Sequence, residues 1–300
     1  MRKLSLTAAT LCLAAQLTTA QIKLPSPSPG ATIMQTVGTT DLTVSYSRPS
    51  LRGREPFVGS FVPAGQVWRT GANSATLFTT STDLMVNGKT LPAGSYAIMS
   101  IPTAEAFTLI FNKDKSVTEA TYKQDQDVLR VDLKPMENSE KIETFTIAFG
   151  DLTDSTARLN FMWANSKASA DLRVDVNANA AANVDKAVAE KPDDAAVLQA
   201  AASYNVSKGR NLDQALSWID KSIAKQENFR NLYIKAQVLA KQGKYTDALP
   251  IAEKALALGQ SSNDQVFPFF KEGIEKSVME YKSKIPALPA MKTGKGKKKA

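Results

Sequence analysis

The spacing of apolar residues changes once along this chain, near residue 177, and that change limits the fold more than any single motif. Upstream, apolar and polar residues alternate with period two, as in half-buried strands. Strands are expected over 42–46, 75–79, 84–86, 95–101, 106–111, 128–133, 143–149, 157–163 and 170–176. Asn87-Gly88 suits a reversal that needs positive φ at both central residues. Short strands without intervening helices fit an all-β antiparallel sandwich or barrel-like domain. Downstream the period becomes helical, predicting helices over 178–190, 195–208, 212–226, 231–242, 246–258 and 263–284. Asp193 or Asp194 can cap the second and Gly209 can end it. Pro250 falls near a first turn, where its missing N–H matters least. The expected organisation is therefore a leader over 1–20, a β domain over 21–176, an all-α domain over 177–285 and a basic tail over 286–300.

The two ends carry most of the charge. Arg2 and Lys3 precede a short apolar run over 4–17, and Thr18 and Ala20 fit a small-residue cleavage site. That pattern predicts a signal peptide cleaved near Ala20 and a secreted or periplasmic protein. The run is too short and Thr-rich for a membrane span, so no transmembrane segment is expected. Cys12, the only cysteine, falls inside the leader, and the chain has no histidine. A mature chain without either has no disulfide, thiol chemistry, Cys or His metal site, or His relay. No cofactor or metal is expected. Arg2, Lys3 and five tail lysines account for all but about +1 of the formal net charge of +8. A Gly/Lys tail has nothing to bury and reads as solvated. It also lacks aromatic platforms, so nucleic acid is not an expected partner.

The helical half contains a repeat. The segment from Asp213 to Ile223 aligns with that from Thr246 to Leu256, and Gly209 and Gly243 stand at matching turns. With Ala236, Tyr245, Ala248 and Ala255, this resembles tetratricopeptide repeats, although the first copy lacks the aromatic that matches Tyr245. The resemblance implies a short array of helical hairpins whose concave face docks a protein partner.

The densest run of special residues lies between Tyr46 and Thr76. Arg48, Arg52 and Arg54 lie within seven residues, and Trp68-Arg69-Thr70-Gly71-Ala72-Asn73 adds an indole, a fourth guanidinium and an amide. A guanidinium is a permanently charged planar fork suited to carboxylate, phosphate or sulfate. Arg48, Arg52, Arg54 and Arg69 could supply charge, Trp68 a stacking face, and Thr70 and Asn73 neutral hydrogen bonds. The same residues also have a structural reading, with Trp68 in the core, the arginines paired to acidic neighbours and Asn73 capping a turn. This stretch closely resembles the signature of DUF2911, a family of secreted bacterial proteins of undefined activity. The resemblance runs from about residue 25 to 176, with departures at Ala64 and Pro56-Phe57. It implies a fold and a place to look, and no catalytic residue.

Other chemistry is thin. Ser45, Ser47 and Ser50 have no lysine close in sequence to activate them. Glu105 with Asp114, and Asp125 with Asp127, read as polar turns rather than catalytic carboxylate pairs. The expected function is a secreted or periplasmic, non-catalytic binding or scaffold protein. Its β domain would bind a small anionic or saccharide ligand, and its helical domain a protein. The alternative is a hydrolase-type enzyme working at the same cluster with a carboxylate such as Glu55.

Overall fold

The computed structural model describes residues 24–286 apart from 57–61 and 63, divided between Val174 and Asp175 into two units. The expected leader and the Lys-rich end of the chain lie outside the described residues. The first unit contains β1 (Gly30–Val37), β2 (Thr40–Ser47), β3 (Thr76–Thr80), β4 (Leu84–Val86), β5 (Lys89–Leu91), β6 (Gly94–Pro102), β7 (Phe107–Asn112), β8 (Asp127–Leu133), β9 (Met136–Gly150) and β10 (Thr156–Arg173). They form two antiparallel sheets, ordered β1-β2-β3-β6-β7-β8 and β5-β4-β10-β9. The β-domain expectation therefore holds, with Asn87 and Gly88 both at positive φ between β4 and β5.

Three details differ from the period-two reading. β1 is a full strand, but its core-facing Ala31, Ile33 and Gln35 are only half-buried, so its alternation has little contrast. β5 has three residues, too few to show a period. The last two expected strands are one, β10, broken by register shifts around Ala164. Before the shift the buried positions are Ala157, Leu159, Phe161 and Trp163; after it they are Ala168, Ala170 and Leu172. An irregular insertion moves the inward set from odd to even numbers, because strand side chains repeat every two residues. Ala164 sits there at φ 49.

Between the sheets, Phe78, Phe111, Phe145 and Trp163 are essentially sealed from solvent. Phe78 and Phe145 meet their aromatic neighbours edge-on, an arrangement that favours ring pairs beyond simple burial. The larger sheet is covered on its outer face too, where Ala97, Met99, Ile110 and Val117 pack with Val67, Leu77 and Tyr122. The long β2–β3 connection and the loop after β7 supply that cover, and it is here that the candidate site forms.

The second unit contains α1 (Val176–Glu190), α2 (Ala195–Lys208), α3 (Leu212–Lys225), α4 (Phe229–Lys241), α5 (Tyr245–Ser261) and α6 (Phe267–Lys284). Asp194 caps α2 by accepting from Ala196 N and Val197 N at 2.9 and 3.1 Å. Asn228 and Asn231 exchange side-chain-to-backbone bonds at the start of α4. Ala201, Ala202, Ala215, Ala236, Ala248, Ala252 and Ala255 are buried where helices approach closely. No helix among the described residues is long and apolar enough to cross a membrane.

Tyr46 pins β2 to the opposite sheet: its hydroxyl donates to Ile147 O at 3.2 Å and accepts from Ile147 N at 2.9 Å. Tyr46 is buried, so Tyr46→Phe leaves both groups of Ile147 without that partner. The expected cost is about 1–3 kcal/mol, read as a lower urea midpoint at unchanged slope.

Candidate functional site

The connection from 48 to 75 is tied to both sheets, and those ties decide which side chains meet. At its start, Phe145 N donates to Pro49 O at 2.8 Å and Leu51 N to Glu143 O at 2.9 Å, fastening the chain to β9. Arg48 reinforces this, donating from Nε to Phe145 O at 3.0 Å and from Nη2 to Thr146 Oγ1 at 2.7 Å. Further along, Trp68 exchanges backbone bonds with Ser100 of β6, at 2.7 and 2.8 Å. Its indole is 6% exposed, stacks on Trp163 with centroids 5.8 Å apart and meets Phe145 edge-on. Indole Nε1 donates to Gly71 O at 3.0 Å, so the ring's one polar atom is satisfied inside the fold.

Between these ties lies a cavity of about 420 Å³ lined by Arg52, Arg54, Trp68, Arg69, Asn73 and Glu119, with Trp163 and Val62 in its wall. Five of the seven sequence-predicted residues are thus brought together. The other two are elsewhere. Arg48 is held along β9, and Thr70 is fully buried, donating to Ser100 Oγ at 2.9 Å. Glu55 is exposed and pairs with Lys141 at 3.4 Å, outside the cavity lining.

The guanidiniums are held in two ways. Arg69 forks onto Glu119, with Nε 2.9 Å from Oε1, and also donates to Asn73 O. Burial alone would push Glu119 up, but Arg69's hydrogen bonds outweigh it and hold the carboxyl below the usual glutamate range. Arg52 and Arg54 also donate to carbonyl oxygens. Arg52 Nη2 donates to Pro27 O at 3.1 Å; Arg54 Nε and Nη2 donate to Leu51 O and Ser50 O, each at 2.9 Å. Carbonyls orient a guanidinium without cancelling its charge. Three arginines and one carboxylate line the cavity among the described residues, so cationic side chains outnumber anionic ones in that lining.

Backbone strain gathers in the same segment. Arg52, Thr70 and Asn73 have φ of 50, 54 and 59. Left-handed backbone is unfavourable for side chains with a Cβ, most of all for β-branched threonine. Their neighbours hold them there: Thr76 Oγ1 donates to Thr70 O at 2.8 Å, and Asn73 Nδ2 to Ser28 O at 3.1 Å.

Glu119 and Trp163 were not legible as site residues in the sequence. Glu119 lies fifty residues from Arg69 in a polar loop, and Trp163 reads as one more inward strand residue. The Asp125 and Asp127 turn also differs from expectation. Asp127 is enclosed by Tyr122 Oη at 2.6 Å, Asn112 Nδ2 at 2.8 Å and Arg130 Nε at 2.9 Å. Burial, then the bond to Asp127, push the Tyr122 hydroxyl up to about 12. This network closes the loop that carries Glu119.

In the helical unit, Tyr233, Tyr245, Phe270, Tyr281, Lys241 and Glu280 help to line a cavity of about 890 Å³. Arg230 at its edge pairs with Asp264 at 2.9 Å, and Tyr233 Oη lies 3.0 Å from Ser277 Oγ, joining α4 to α6.

Residues 28–172 match the model of DUF2911, described as a protein of unknown function, and the β unit belongs to that family. The chain matches no curated protein and no solved structure.

Two outcomes follow. A Cβ on Gly71 would sit 2.9 Å from Thr76 Oγ1 and 3.0 Å from Ser47 O, so Gly71→Ala should cost about 1–3 kcal/mol in thermal unfolding. Gly30→Ala, with nothing within 4 Å, is the matched control. Because Glu119's pKa is lowered on folding, its contribution is present above the ordinary glutamate range and lost as pH falls through the lowered value. Glu119→Gln should therefore flatten that part of the acid limb of stability.

Proposed function

With residues 28–172 placed in the DUF2911 family, we propose that the β unit binds a small anionic ligand and that the protein is a non-catalytic binding protein acting outside the cytoplasm. The observation that carries this reading is a cavity whose described lining holds three arginines and one carboxylate, with the Arg52 guanidinium oriented by a carbonyl oxygen. Strained backbone at Arg52 and Asn73 supports it, since strain persists where the surroundings over-determine a geometry and clusters at ligand sites. An anion is favoured over a neutral sugar. A sugar needs an open indole face, and the face of Trp68 is covered by Trp163. The bound group would be a carboxylate, phosphate or sulfate, with its apolar part against Val62 and the indole edges.

The leader-like first twenty residues support export. In the helical unit, the repeat and the tyrosine-lined cavity support a tetratricopeptide-like array that docks an extended peptide of a partner protein. Among the described residues, the carboxylates near the cavity give the enzymatic alternative little support: Glu55 faces Lys141, and Glu119 is paired with Arg69.

Thermal-shift titration with phosphate, sulfate and small carboxylates, against chloride at equal ionic strength, tests the anion site. A ligand at a hundred times its Kd stabilises by about 2.7 kcal/mol. We expect such a shift for the wild type and its loss in the Arg52→Ala, Arg54→Ala double variant. Arg52→Gly suits positive φ and should keep stability within about 1 kcal/mol while weakening binding. A wild type that none of these anions stabilises beyond chloride overturns the reading.

A further inference from the structure

Along β1, the hydrogen-bond parity shows which backbone groups are left over. Arg48 N donates to Pro29 O at 2.9 Å, in the same register that pairs Gly30 with Ser47. Antiparallel pairs alternate between bonded and non-bonded, so Ala31, Ile33, Gln35 and Val37 direct their N–H and C=O groups to β2. Those of Thr32, Met34 and Thr36 point the other way, where no strand lies among the described residues. Among the described residues, Thr36 O alone of these groups has a side-chain partner, the Gln35 amide at 2.9 Å.

The remaining sheet edges are protected by familiar devices. β5 is three residues long, and its Lys89 Nζ donates to Arg130 O of β8 at 3.1 Å. β9 is paired with the segment around Ser50 and carries Glu137, Glu140, Lys141 and Glu143. By contrast, β1 reads Gly-Ala-Thr-Ile-Met-Gln-Thr-Val, with neither a charge nor a proline. Met34 is 73% exposed at its middle, and Ile33 is only half-buried although it faces the core side.

We infer that the β1 edge pairs antiparallel with the same edge of a second copy, about a two-fold axis at Met34. In that register Met34 lies opposite its counterpart, Thr32 opposite Thr36, and Ile33 opposite Gln35. The outward-pointing groups of Thr32, Met34 and Thr36 are the ones such a register bonds, with Thr36 O accepting through its second lone pair beside the Gln35 amide, so donors and acceptors match their own symmetry mates. No like charges meet, the methionines bury each other, and two six-stranded sheets become continuous. A second copy is the occupant because the edge is complementary to itself in sequence, parity and charge.

Sedimentation velocity on the full chain tests this. The wild type is expected to dimerise at tens of micromolar. Met34→Pro deletes an N–H that β2 does not use, so the β1–β2 ladder survives while the outer edge is blocked. Met34→Lys sets two ammonium groups face to face at the axis and serves if the proline variant unfolds, which circular dichroism will report. Each should weaken dimerisation at least tenfold. A wild type that stays monomeric at several hundred micromolar overturns the inference, whether or not it captures a foreign strand. A dimer that persists in folded Met34→Pro or Met34→Lys protein overturns it too.

Discussion

The stack of Trp68 on Trp163 is the contact on which the β unit's arginine-lined cavity depends. One indole comes from a connection outside the regular strands and the other from the second sheet, so their contact ties an irregular segment to the core. Each N–H is satisfied by a carbonyl, Gly71 O for Trp68 and Glu143 O for Trp163, so both rings are buried without an unpaired donor. With that anchor in place, the stretch from Arg52 to Arg54 is fixed at one end by β9 and the stretch from Arg69 to Asn73 at the other by β6. The cavity is the space left between two fastened ends.

That arrangement separates the arginines by role. Arg48 serves the backbone of β9, Arg69 is paired with Glu119, and Arg52 and Arg54 line the cavity. Residues of one type thus have different chemistry because their acceptors differ: a carbonyl leaves the charge of Arg52 in place, whereas a carboxylate offsets that of Arg69. The left-handed backbone at Arg52, Thr70 and Asn73 stores strain that the surrounding bonds hold in place.

Much of the fold could be read from periodicity, because inward residues such as Leu42, Val44 and Tyr46 alternate cleanly with partly solvated ones. The helices were equally legible, since Asp194, Gly209 and the buried alanines mark their ends and contacts. β1 was obscured because its core-side residues are half-exposed and include a glutamine. Within the site, composition alone marked Arg52, Arg54, Trp68, Arg69 and Asn73 as a group. It could not reveal that Trp68 lies against Trp163 or that Glu119 reaches Arg69, because those depend on how the sheets and loops close. Thr70 looked like a ligand donor, yet its hydroxyl is turned to Ser100 inside the fold.

The irregularity near Ala164 has a consequence for how such a chain can change over generations. Because the strand switches from odd to even inward positions there, its two halves are locked in opposite phase. Removing one residue at that point would rotate Ala168, Ala170 and Leu172 out to water and bring Ser169 and Asp171 inward. Substitutions along the strand can be absorbed one at a time, whereas a single-codon deletion at this joint re-reads everything beyond it. A one-residue change in its length therefore disturbs more of the strand than a substitution at any one of its positions.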